Sequence, residues 1–84
     1  MQVCLITFRS VTPAQRGEKL LTEQGIRCVL GRTPRRMQEQ GCGYSLQIPC
    51  ADVPAALRWM RSQNIAYRKL YRRQENGTWE EMEQ

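Results

Sequence analysis

The amino-acid sequence predicts an α+β domain: a ferredoxin-like βαββαβ sandwich, with an antiparallel sheet carrying two helices on one face and a C-terminal β-hairpin strand added at the end. Three observations predict it. The apolar period switches between two and 3.6 in the order strand, helix, strand, strand, helix, strand. Gly, Pro and Asn punctuate the points where the helices should start and stop. Right-handed crossovers then fold two similar βαβ halves into one sheet. The chain has 84 residues, which suits one domain over 1–84. A chain this small buries only about 60% of its unfolded surface, so function is expected on a loop, a shallow groove or an oligomer interface.

Taken in order, Val3 to Phe8 (VCLITF) is β-rich and almost wholly apolar, as a central strand should be. Thr12 then reads as a helix cap, with Pro13 in the first helical position and Gln15 completing a capping box. That helix should run to about Gln24 and stop at Gly25, its inward stripe being Ala14, Gly17, Leu20 and Leu21. Ile26 to Leu30 is the second strand, with Ile26, Cys28 and Leu30 on one face. A long connection from Gly31 to Gly43 follows, in which Thr33 and Pro34 suggest one short helical turn. Tyr44 to Ile48 alternates cleanly, with Tyr44, Leu46 and Ile48 inward. The second helix is expected from Cys50 or Asp52 to Gln63. Its stripe is Val53, Ala56, Leu57 and Met60, Pro54 falls in the first turn, Trp59 packs beside the stripe, and Asn64 is the cap. Ile65 to Gln74 is the last strand of the body. Asn76-Gly77 favours a two-residue type I′ turn, which pairs Gln74 with Trp79, Arg73 with Glu80, Arg72 with Glu81 and Tyr71 with Met82. A disordered acidic tail is the alternative for 74–84.

Thirteen Lys and Arg stand against eight Asp and Glu, for a net charge of +5. Residues 1–73 hold every base and only four of the acids, a net +9, while 74–84 are acidic. A basic body attracts anions or an acidic protein face, although such charge also serves simply for solubility. The opening apolar run is too short for a signal peptide or a membrane helix. The expectation is therefore a cytoplasmic chain without membrane association, whose Cys4, Cys28, Cys42 and Cys50 are reduced thiols. There is no His and no Cys-x-x-Cys pattern, so neither a zinc site nor a bound cofactor is expected. The missing His also removes the usual general base, which argues against an enzyme.

One constellation stands out: Arg32, Pro34, Arg35 and Arg36, followed by Gly41, Cys42 and Gly43. A thiol between two glycines has little steric cover, and glycine backbones can turn N–H groups toward an anion. Neighbouring arginines lower a thiol pKa and raise the thiolate fraction, and the thiolate is the nucleophile. The plainer alternative is a tight turn in which Cys42 is a small filler. Cys4 and Cys28 read as core residues, and Cys50 as a helix-boundary residue. Arg68, Lys69, Arg72 and Arg73, with Tyr67 and Tyr71, form a basic and aromatic strand of the kind that binds single-stranded nucleic acid. No RNP-type run accompanies it, and pairing with Glu80 and Glu81 is the preferred reading, so a nucleic-acid partner is not expected.

The chain resembles the selenium/sulfur carrier protein-like family of small bacterial proteins. The resemblance rests on Leu5 to Phe8 (LITF), on Glu18 to Leu21 (EKLL) before Gly25-Ile26, on Thr33-Pro34-Arg35, on Cys42-Gly43 leading into a strand, and on Leu70-Tyr71. It implies a non-catalytic carrier with Cys42 as the cargo thiol, holding sulfur or selenium as a persulfide or selenenylsulfide. Its partners would be a donor and an acceptor protein, with a homo-oligomer through the open sheet face as a further expectation. The alternative is a small-anion-binding or interaction module in which Cys42 is incidental.

Overall fold

The structure is a computed structural model that describes residues 2–33 and 43–82. Five strands and two helices alternate: β1 (Val3–Phe8), α1 (Val11–Glu23), β2 (Val29–Arg32), β3 (Tyr44–Pro49), a 3₁₀ turn (Cys50–Asp52), α2 (Val53–Ser62), β4 (Leu70–Arg73) and β5 (Trp79–Glu81). The strands form one antiparallel sheet in the order β2-β3-β1-β4-β5. The most apolar strand, β1, is flanked on both sides, as its sequence requires.

Strand alternation divides the sheet into two kinds of row. One row runs Leu30, Leu46, Ile6 and Leu70 across four strands. Its residues join Cys4, Phe8 and Ile48, with Ala14 and Leu21 of α1 and Val53, Ala56 and Met60 of α2, in a single apolar core. The next row, one residue along each strand and so on the opposite face, is Val29, Gln47, Leu5, Tyr71 and Glu81. Leu5 is only 1% exposed and Tyr71 only 8%, so the middle of this face is closed too. Val29, at the β2 edge, is 61% exposed.

The first helix begins earlier than its capping signals suggest. Ser10 is the N-cap, in an extended conformation and without a side-chain hydrogen bond, and Pro13 lies within the first turn. The Thr12–Gln15 capping box is therefore not formed. Proline is tolerated throughout that turn, because none of its N–H groups has an intrahelical acceptor, so Pro13 does not fix the first position. The C-terminus follows expectation: Gly25 takes φ +78° and its N–H bonds to the Thr22 carbonyl at 3.0 Å. Gly17 lets α1 sit close to the sheet, since a Cβ there would lie 3.2 Å from Leu46 Cδ1.

The second strand is displaced along the chain, to Val29–Arg32. Ile26 is buried before pairing begins, because its N–H closes the helix end on the Leu21 carbonyl at 2.8 Å. Helix α2 follows its stripe, with Val53, Ala56 and Met60 buried and Leu57 partly so. Asn64 ends it at φ +56°. Trp59 is 40% exposed and is not the packing residue expected. Strand β4 is shorter than the predicted Ile65–Gln74. Hydrogen bonds of Arg68 and Lys69 to Thr7 nevertheless carry the pairing further, at 2.7 and 2.9 Å.

The C-terminal hairpin forms, with a register one residue away from the predicted one. Arg73 faces Trp79, Arg72 faces Glu80 and Tyr71 faces Glu81. The Gln74 N–H bonds to the Thr78 carbonyl, leaving a three-residue loop in which Gly77 alone takes a positive φ, +86°. A type I′ turn needs Asn76 at positive φ as well. Instead Asn76 Oδ1 accepts from the Thr78 backbone at 3.1 Å and from its hydroxyl at 2.7 Å, which holds the longer loop characteristic of a glycine bulge. Arg72 consequently pairs with Glu80 at 2.8 Å and Glu81 with Lys69 at 3.4 Å.

Candidate functional site

Of the residues singled out in sequence, Arg32 and Gly43 fall within the described structure. Pro34, Arg35, Arg36, Gly41 and Cys42, with the short helical turn expected after Thr33, lie outside the described residues. Arg32 is the last residue of β2 and faces Tyr44 across the ladder, its guanidinium 5.7 Å from the centre of the Tyr44 ring. One step further, the Thr33 N–H donates to the Gly43 carbonyl at 3.0 Å. The β2–β3 ladder thus continues to the residues flanking 34–42. Gly43 fits this point because it has no side chain: a Cβ would lie 3.3 Å from Thr33 Oγ1 and 3.4 Å from the Phe8 carbonyl oxygen. Backbone from three strands converges there.

The other cysteines depart from the sequence reading. Cys4 and Cys50 form a disulfide, their Cα atoms 5.0 Å apart. They are not the separate reduced thiols expected, and Cys50 is more than a helix-boundary residue. The register accounts for this. Cys4 faces Ile48, and Cys50 lies two residues further on, at the turn leading into α2. Its backbone N–H is tied to the Gln2 carbonyl at 3.1 Å, which brings the β3–α2 junction against the start of β1. No Cys-x-x-Cys spacing reveals such a pair. Only the antiparallel pairing of β1 with β3 does, once its register is known. Met82 Sδ lies 3.9 Å from Cys4 Sγ, completing a small sulfur cluster.

Among the described residues Cys28 is the free thiol. It is half-buried beside α1, donating to the Glu18 carbonyl at 3.8 Å and lying 3.7 Å from the Thr22 hydroxyl. Burial pushes its pKa up and the Glu18 charge adds to the shift, while the Thr22 hydroxyl works the other way. This thiol is held protonated and is a poor nucleophile. The basic and aromatic strand offers little stacking surface, because the Tyr71 ring is buried and two of its cations face carboxylates. Arg73 stands over the Trp79 ring at 6.0 Å and lines a groove with Gln2, Arg72 and Gln74. Among the described residues no helix is long and apolar enough to cross a membrane.

Among the described residues the fold is of a small α+β class, with two helices and a five-stranded antiparallel sheet. Within that class, the family described as "Putative Se/S carrier protein-like" matches residues 3–72, and the chain belongs to it. The match takes in both helices and β1 to β3, together with the segment 34–42 and all four cysteines. No curated protein and no solved structure matches the chain.

Proposed function

We propose that this chain is a carrier that holds sulfur or selenium covalently on Cys42. In the sulfur case the Cys42 thiolate attacks the terminal sulfur of a donor's persulfide. The donor thiolate leaves, and Cys42 then carries the sulfur as its own persulfide. An acceptor thiolate removes it by the same displacement, which returns Cys42 to thiolate. Each transfer exchanges one S–S bond for another, so no oxidant, metal or general base is needed. Arg35 and Arg36 stabilise the anionic sulfur, and Gly41 leaves room for a partner's side chain, whereas Gly43 is buried and serves the close backbone approach to Thr33 and Phe8.

The observation that carries this reading is the family match over residues 3–72, which spans the Thr33-Pro34-Arg35 and Cys42-Gly43 motifs together. The Thr33–Gly43 hydrogen bond supports it, because it brings together the two residues that flank the segment carrying Arg35, Arg36 and Cys42. The strand order suits a ferredoxin-like sandwich with both helices on one face, working as a single cytoplasmic domain that docks donor and acceptor proteins through its basic body. Incubation with a cysteine desulfurase and free cysteine tests the reading. The wild type gains a sulfur and Cys42→Ser does not. A gain that survives Cys42→Ser overturns it.

One observation favours a second reading, that of a small-anion-binding module. Arg73 forms no ion pair among the described residues and lines a groove with Gln2, Arg72 and Glu75. Phosphate binding that is lost in Arg73→Ala, with no sulfur gained at Cys42, would favour it.

A further inference from the structure

We propose that the Cys4–Cys50 disulfide is a thiol–disulfide exchange site, open to attack by small or protein thiols at the Cys50 sulfur and closed to attack at Cys4. The proposal is independent of the carrier reading, because it uses neither Cys42 nor the segment around it.

The two halves of the disulfide have unlike surroundings. Cys4 is 0% exposed, in the middle of the core between Ile48 on one neighbouring strand and Arg72 on the other. Cys50 is partly exposed, in the 3₁₀ turn that leads into α2. Displacement at a disulfide requires in-line approach to one sulfur, so access decides which one is attacked. Of the two residues only Cys50 has exposed surface.

The surroundings also suit the product. An external thiolate bonds to Cys50 Sγ as the bond to Cys4 Sγ breaks, and the electron pair leaves on Cys4. Cys4 then takes a proton from solvent and becomes a thiol. Met82 Sδ, 3.9 Å away, is placed to accept a weak hydrogen bond from it, so the buried S–H need not lack a partner. A second thiolate attacks the external sulfur of the mixed disulfide. It releases a symmetrical external disulfide and leaves Cys50 as thiolate. Two external thiols are oxidised and one protein disulfide is reduced. The Asp52 carboxylate in the same turn acts against a thiolate at Cys50.

Glutathione serves as the probe, in a Cys42→Ser background so that the carrier thiol takes no part. Folded Cys4→Ala protein incubated with oxidised glutathione should form a stable mixed disulfide, located at Cys50 by peptide mapping. Folded Cys50→Ala protein should be modified at Cys4 roughly tenfold or more slowly, in keeping with control by access. Equal rates for the two variants, or modification of Cys4 alone, would overturn the proposal. The otherwise intact chain provides a check that does not depend on either variant folding. Reduced glutathione should open its disulfide in native buffer without a change in the far-UV spectrum. Opening that occurs only once denaturant has unfolded the protein would contradict it.

Discussion

The two ends of β3 show how differently one strand can hold the chain at its margins. At the Tyr44 end the backbone is held by hydrogen bonding and close approach: Thr33 bonds to Gly43, and a Cβ at Gly43 would press on the Phe8 carbonyl. At the Pro49 end it is held covalently, by the Cys4–Cys50 disulfide, with a hydrogen bond from Cys50 to Gln2 beside it. Six residues of extended strand, about 20 Å at the usual rise, separate the two. The second fixes how α2 is launched from the sheet.

The largest effect is expected at the covalent end. Closing a loop across 46 residues restricts the unfolded chain, and losing that restriction costs about 2–4 kcal/mol. The Cys4→Ala/Cys50→Ala double variant should show that loss in a urea titration. A midpoint equal to that of the oxidised wild type would mean that hydrogen bonding alone holds this end. Removing residues 74–84 should cost about 1–3 kcal/mol, since cross-strand pairs such as Arg72–Glu80 and Arg73–Trp79 contribute roughly 0.2–1 kcal/mol each and Met82 leaves Cys4 uncovered. An unchanged midpoint would return the segment to the status of a tail. Gly43→Ala should cost about 1 kcal/mol through overpacking against Thr33 and Phe8. If it costs nothing, the Tyr44 end is looser than the close approach of its backbone implies.

The smallest effect is a matter of pH. Cys28 titrates higher in the folded chain than in the unfolded one, chiefly through burial. The stability it contributes is complete below the unfolded thiol pKa and is lost as pH rises through the raised folded value. Tyr67 shifts in the same direction, also chiefly through burial, and adds to the alkaline slope. Cys28→Ala should make that slope shallower and leave the Tyr67 part in place. A slope unchanged by the substitution would show that Cys28 does not contribute.

What the sequence made legible was mostly periodic. The apolar run of β1, the alternation of Tyr44, Leu46 and Ile48, the α2 stripe and the Gly25 and Asn64 stops all appear where their side chains require. The misreadings came from local signals that tertiary contacts overrode. Pro13 is accepted anywhere in an uncapped first turn, so Thr12 did not cap. Asn76-Gly77 suggested a two-residue loop, but the Asn76 side chain bonds to Thr78 and lengthens it, which moves every charge pair by one. The disulfide was hidden because the expected compartment pointed to reduced thiols, and no spacing rule marks two cysteines that meet only through a strand register. At the candidate site, Thr33-Pro34-Arg35 and Cys42-Gly43 were readable as motifs because glycine, proline and a thiol carry chemistry in their composition alone. Gly43 is the one member of that set whose structural reason is now visible.

If one thiol carries the cargo as proposed, sulfur resides on that thiol alone after loading, and mapping the cysteine peptides reads this out. The chain would be treated with a limiting amount of a persulfide donor, blocked with an alkylating agent, digested, and each cysteine peptide weighed. The account predicts the extra sulfur on the Cys42 peptide, little on the protonated Cys28, and none on Cys4 or Cys50 while their disulfide is intact. It further predicts that Arg35→Ala/Arg36→Ala shifts the onset of loading to higher pH, because the thiolate loses its cations. Sulfur spread evenly over Cys28 and Cys42, or found first on Cys50, would contradict it.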